Sequence, residues 1–185
     1  MHDLGRNEDR LRGTYEFPFE FHHIDSTHPR YVMSYHWHVE CEIMRILQGT
    51  LTVTLDEKSF TAKAGDVIFV NSGVLHSGIP HDCIYQCIVF DMNMFLKFNS
   101  VCTEYMQKIS HQELLIYHHF TEKHPDIQRS VNSLFDSFWQ KKPGYELVVF
   151  GQFYHFFGLV FGNHYYLESL RKTRRDYKRI VQLKQ

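Results

Sequence analysis

Between about Tyr15 and Asp91 the apolar residues fall in short β-branched or alternating runs broken by turn residues, the pattern of half-buried strands. "EIMRILQG" and "TLTVTLD" read as two strands around Gly49, and "KSFTAKAGDVIFV" as two more joined at Ala64-Gly65-Asp66. "CIYQCIVFD" adds another. Many short strands at regular spacing predict a sandwich or barrel.

After Asp91 the period becomes helical. "PDIQRSVNSLFDSFWQ" starts at Pro125, a residue suited to the first helical turn, and Ile127, Val131, Leu134, Phe135, Phe138 and Trp139 share one face. The next segment, Tyr145 to Leu167, is apolar nearly all round and so is predicted to be buried on more than one side. Gly144, Gly151 and Gly158 recur at a heptad interval and mark a smooth stripe for the close approach of another helix, within the chain or in a second copy. An interface between copies would use Phe150, Gly151, Tyr154, Phe157, Gly158 and Phe161. The final stretch, "RKTRRDYKRIVQLKQ", reads as a basic linker opening into an amphipathic helix that stops before one full face is complete. The chain is therefore expected to be a piece of a longer protein.

Composition changes this picture little. The 185 residues carry a formal charge of −1, so only the basic tail offers nucleic acid a charged surface, and its contacts would be salt-dependent and unspecific. The cysteines, Cys41, Cys83, Cys87 and Cys102, form no CxxC pair and read as reduced thiols of a cytoplasmic protein. The N-terminus lacks a hydrophobic signal core, and no apolar run reaches the length of a membrane span.

The chemistry concentrates in "HWHVECEIMRILQG". On a strand His36 and His38 project to one side. Glu42, on the following strand, can face them across the interior, and His76 in "GDVIFVNSGVLHSGIP" is a fourth donor. Three imidazoles and a carboxylate suit Zn, Ni, Fe or Mn, or the same groups can hydrogen-bond a polar ligand. Met44, Ile46 and Gln48 share the parity of Glu42 and are predicted to line the cavity, whereas Arg45 has the opposite parity. Tyr35 and Trp37 alternate with the histidines and should pack outward. Of His22 and His23 one has the parity to face the cavity, although the surface is the commoner place for either. His155 and His164 read as interface or core residues. No nucleophile is paired with a base in a way that points to acyl transfer.

This arrangement resembles the cupin signature. His36, His38, Glu42 and Gly49 match its first motif in spacing, with Arg30 where a leading glycine is expected. Gly65, Gly73 and His76 match the second, with Asn71 in place of a proline and Pro80 in place of an asparagine. With the aromatic helices and basic linker, the chain is similar to the N-terminal effector-binding domain of AraC-type transcription regulators. The resemblance implies a mainly β fold with C-terminal α: a cupin barrel (double-stranded β-helix or jelly roll, residues 1–92), a helical dimerisation segment (93–170) and a linker (171–185) toward a helix-turn-helix domain. It further implies a small effector, a sugar or another metabolite, in the barrel at His36, His38, Glu42, Met44, Ile46, Gln48 and His76. A homodimer would form through the helices, and DNA would be bound only by the absent domain. The alternatives are a metal-dependent cupin enzyme (oxygenase or isomerase) and a metabolite-binding module with no DNA partner.

Overall fold

The computed structural model describes residues 7–8, 10–97 and 101–169; the expected basic linker, 171–185, lies outside them. The expected mainly β architecture with C-terminal helices is present. Its strands are β1 (Phe19–Ile24), β2 (Met33–His36), β3 (Cys41–Leu55), β4 (Lys58–Lys63), β5 (Val67–Val70) and β6 (His76–Phe90). A 3-10 turn (Met92–Leu96) and α1 (Thr103–Ser110) follow, then β7 (Leu114–Ile116), β8 (His119–Phe120), α2 (Pro125–Gln140), α3 (Tyr145–Gly162) and β9 (Tyr166–Glu168).

The frame is the antiparallel pairing of β3 with β6, which runs from Cys41 opposite Phe90 to Leu55 opposite His76. Strands β1 and β5 flank one half of this ribbon, with β8 beyond β5, and β2 and β4 flank the other. The ribbon bends where its register shifts on both sides of Gln48. There Gly49 has φ +67°, and a Cβ on it would lie 2.1 Å from the carbonyl oxygen of Asp82, so glycine alone fits. "EIMRILQG" and "TLTVTLD" are thus one strand through a bulge, not two strands around a turn; the reversal comes later, between Leu55 and Lys58.

The bulge inverts the side-chain parity. Met44 and Ile46 before it and Leu51, Val53 and Leu55 after it point into one interior, shared with Ile68, Val70 and Tyr85. Two sheet halves facing each other across these residues make a cupin barrel. The opposite face of the first half, with Ile43, Phe69, Ile88 and Phe90, packs against the helices. The outer face of the second half is polar and carries hydroxyl pairs such as Thr52–Thr61 and Thr54–Ser59.

Helix α2 begins with Pro125 as expected and buries Ile127, Val131, Leu134, Phe135 and Phe138. Trp139 lies past the edge of that stripe; it is exposed and rests on the His23 ring, 5.0 Å between centroids. Helix α3 is shorter than its apolar run, because Tyr166–Glu168 leaves it to pair with β7. The segment expected to be helical, 93–170, therefore also contains short strands, and β8 extends the barrel sheet through β5.

The apolar surface of α3 is largely absorbed within the chain. Phe153 stacks on Phe19 (5.0 Å) and packs on Phe90 (4.6 Å), and Phe156 stacks on Phe69 (5.8 Å). Phe157, expected at an interface between copies, is fully buried against Phe95 and Phe156 and is out of reach of a partner. Phe150, Tyr154 and Phe161 are half-buried against the same core, whereas Gly151 and Gly158 face open space. Phe153→Ala is expected to cost about 3–5 kcal/mol in urea denaturation; a loss below about 1 kcal/mol would remove Phe153 from the core that joins barrel and helices.

Candidate functional site

Each donor of the His/Glu cluster is placed by a different piece of the frame. His36 ends β2, and its register partner across the pair is His76, the first residue of β6. His38 lies in the loop after β2, and Glu42 is on β3 opposite Val70 and Val89. The turn before His76 is sewn to the His38 loop: the Gly73 amide donates to the His38 carbonyl (2.9 Å), and the Ser72 hydroxyl to the Val39 carbonyl (2.6 Å). Asn71, where the cupin motif has proline, anchors this turn to β7 by donating to the Ile116 carbonyl (2.8 Å) and accepting from its amide (3.0 Å).

The four side chains converge, with one ligand atom from each lying within 4.8 Å of all the others. Donors about 2.0–2.2 Å from a common ion are at most about 4.4 Å apart, so a small inward closure would complete a coordination sphere. His38, Glu42 and His76 are buried and His36 is half-buried. In every ring Nδ1 is taken by a backbone carbonyl: His36 by Ser34 (2.8 Å), His38 by Glu40 (3.0 Å) and His76 by Val74 (2.8 Å). A carbonyl only accepts, so each Nδ1 carries a proton and each neutral ring presents the Nε2 lone pair to the centre.

The Glu42 Oε2 lies 3.4 Å from His38 Nε2 and 3.3 Å from His76 Nε2, and His76 Nε2 is a buried atom with no geometrically sound hydrogen-bond partner among the described residues. A carboxylate facing such lone pairs calls for a cation between them, either a shared proton or a metal ion. Burial raises the Glu42 carboxyl pKa, but with a proton on the facing Nε2 atoms the hydrogen bonds and charge of His38 and His76 outweigh it and hold the group well below the carboxylate range. Burial, followed by the charge of His76, lowers the His36 pKa and favours its neutral, ligating form. Cys87 lines the same cavity, but burial and the Glu42 charge push its thiol well up, so it is no thiolate donor.

Over this cluster lies a charged rim. Glu8 is tied to the segment between the histidines, its amide donating to the Trp37 carbonyl (2.9 Å). Its carboxylate accepts from Arg12 Nη2 (2.9 Å) and Arg30 Nη1 (2.6 Å), and lies 3.4 Å from Arg10 Nε and 3.9 Å from His36 Nε2. Arg12 and Arg10 also pair with Glu20 on β1, at 2.7 and 2.9 Å. Burial raises the Glu8 pKa, yet the bonds from Arg12 and Arg30 prevail and hold it at about 2. The space between rim and cluster, half open to solvent, is about 60 Å³.

The sequence profile described as the AraC-like ligand binding domain matches residues 18–157. The chain belongs to that family. Among curated proteins, an uncharacterized HTH-type transcriptional regulator, YdeC, of Bacillus subtilis (strain 168) is 36% identical over 56 residues, 29% of this chain. That match spans only 19% of the relative's length. Among solved structures, two single-site mutants of Bacillus subtilis oxalate decarboxylase OxdC each share 25% identity and a TM-score of 0.30 over 32% of this chain and 18% of theirs.

In this AraC-like domain, the predicted quartet His36, His38, Glu42 and His76 is brought together, but the other expected cavity residues are not. Met44 and Ile46 have the right parity and lie deeper, in the packed aliphatic interior. Gln48 sits in the bulge and is exposed. His22 faces the cavity 3.3 Å from Glu20, while His23 points to the helices and accepts from Gln86 Nε2 (2.9 Å). Arg45 is outside the cavity as expected. It bonds Gln86 (2.9 Å) on β6 and Asn132 (3.1 Å) and Asp136 (2.9 Å) on α2. Tyr35 is exposed and Trp37 is buried. His155 is exposed with Nδ1 3.2 Å from the Ser130 hydroxyl, and exposed His164 stacks on Tyr166. The rim residues Glu8, Arg10, Arg12, Glu20 and Arg30 carry no spacing signal. In the sequence Arg30 registers only as a missing motif glycine, and the others as scattered charges near the N-terminus.

Proposed function

We propose that this domain is the sensory and dimerisation half of a cytoplasmic transcription regulator, which takes a small effector at the His/Glu end of the barrel and acts on DNA through a separate helix-turn-helix domain. The observation that carries the reading is the convergence of three Nε2 lone pairs and the Glu42 carboxylate in a cavity of a ligand-binding family member. A first-row divalent ion, Zn, Ni, Fe or Mn, suits this donor set. Held by His36, His38, Glu42 and His76, it would polarise and orient the effector's donor atoms. Purified protein incubated with Zn²⁺ or Ni²⁺ is expected to retain about one ion per chain by elemental analysis. His38→Ala combined with His76→Ala should abolish retention without dissociating the dimer. Near-stoichiometric Fe or Mn with oxygen-dependent turnover of a small substrate would favour the enzyme reading instead. A thermal-shift screen of small metabolites tests effector binding, since a ligand of the folded state raises Tm.

The dimer reading rests on the solvent side of α3. Gly144, Val148, Gly151, His155, Gly158 and Gly162 alternate in steps of four and three along the helix, the spacing of a coiled-coil seam. A Cβ at any of the four glycines would meet nothing within 4 Å. Beside them Leu147 is 80% and Val148 46% exposed. Glycines in such a seam let two backbones approach closely, and a second copy of α3 would cover the exposed aliphatics. Gly151→Leu is expected to leave the monomer's Tm unchanged or raised, since Gly costs about 1 kcal/mol inside a helix. It should shift sedimentation from dimer to monomer at micromolar concentration; an unchanged dimer would place the interface elsewhere.

A further inference from the structure

The charged rim lies outside the packed interior of the barrel, yet its ion pairs are closely interlocked. Arg12 is a buried side chain, 2% exposed, that pairs with Glu20 on one side and Glu8 on the other. Its Nε is buried and has no hydrogen-bond partner among the described residues. Arg10 and Arg30 converge on the same Glu8 carboxylate, whose Oε2 lies 3.9 Å from a cluster nitrogen, His36 Nε2. A carboxylate of the chain itself thus sits on a guanidinium cradle at the entrance to the candidate effector cavity.

Two physical constraints follow. The half-open space of about 60 Å³ is far below the roughly 300–1,000 Å³ of ordinary ligand sites, so a metabolite seated against the cluster needs Glu8 to leave. When Glu8 leaves, three guanidiniums among the described residues face one remaining carboxylate, Glu20. A neutral ligand would then strand the buried Nη2 of Arg12, already short of a partner at Nε, and an unpaired buried charge is strongly unfavourable. Only an anion of similar shape restores the pairing, and a carboxylate does so by bridging Arg12 and Arg30 with its two oxygens, as Glu8 does. Release of Glu8 would leave Arg12 in place. Arg12 stays anchored through Glu20, while Glu8 is tied by its own side chain and by the bridge of Asn7 and Glu8 to Trp37.

We propose that the effector is a small carboxylic acid, docked by its carboxylate on Arg10, Arg12 and Arg30 beside the His/Glu cluster, and that Glu8 is a built-in competitor which the effector displaces. This rests on the reading of the barrel end as the effector site and narrows the expected sugar or other metabolite to an anion.

Calorimetric titration of the full chain with acetate, succinate and benzoate tests it, with xylose and glucose as neutral probes and with protein both chelated and zinc-loaded. At least one carboxylate should bind, and neither sugar should. Glu8→Gln should bind that carboxylate about tenfold more tightly, because the internal competitor is lost. Arg30→Gln, at a position 60% exposed in its side chain and so tolerant of change, should bind it about tenfold more weakly while melting like the parent. Sugar binding without carboxylate binding would overturn the proposal and leave the effector reading intact. Carboxylate binding that needs zinc and ignores both substitutions would assign the anion to the metal alone and also overturn it. Failure of all three carboxylates with the parent and both variants would do the same.

Discussion

The bend in the β3–β6 ribbon is the constraint on which the other features depend. A flat fifteen-residue pair would present one apolar face along its whole length and could not enclose anything. By placing Gly49 in a left-handed conformation against the Asp82 carbonyl, the chain turns the ribbon over and inverts its side-chain parity. Residues of opposite numerical parity then share one interior. The β2–β6 ladder sets His36 against His76, and the bend brings that pair toward Glu42 on the other half of the ribbon.

The two faces of the ribbon's first half have separate tasks. Inward, aliphatic residues fill most of the barrel and leave only its end to polar groups, where Nδ1–carbonyl bonds aim the imidazoles. Outward, an aromatic layer welds the barrel to α2 and α3. Arg45 bridges these regions. It stands between Met44 and Ile46 of the interior, yet its guanidinium is held by Asn132 and Asp136 on α2. A change of β3 at the cavity would therefore be felt by the helix that packs on α3, through a charge-assisted contact and not through loose packing.

The rim and the cluster follow opposite design rules. The cluster is made of residues close in sequence plus one brought by the turn at Gly73, and its orientation is enforced by the backbone. The rim is made of long charged side chains from the N-terminus, β1 and the loop before β2, held by one another and by the backbone tie of Glu8 to Trp37. The partly exposed Arg10, Arg30 and Glu8 exchange ion-pair partners at modest cost, whereas the buried Arg12 and the backbone-aimed imidazoles do not. If Glu8 is displaced as proposed, that contrast separates a fixed floor from an exchangeable rim.

Much of this is legible in the residues alone. The donors His36, His38, Glu42 and His76, the start of α2 at Pro125 and its buried stripe, and the change from strand to helix after Asp91 are local matters of spacing and periodicity, which short-range geometry sets. Tertiary structure decided the rest. Parity places Gln48 in the cavity because counting by two assumes an unbroken strand, and the bulge breaks it. Met44 and Ile46 keep their side but lie at a depth that periodicity does not encode. Pattern assigns Phe157 to a second copy because an apolar helix does not state what covers it, and here Phe95 of the chain's own 3-10 turn does. Glu8, Arg10 and Arg12 are invisible as a site, because charged residues near a terminus have no period. Their meaning arises only when a distant loop delivers Arg30 and when β1 delivers Glu20 to the same point in space.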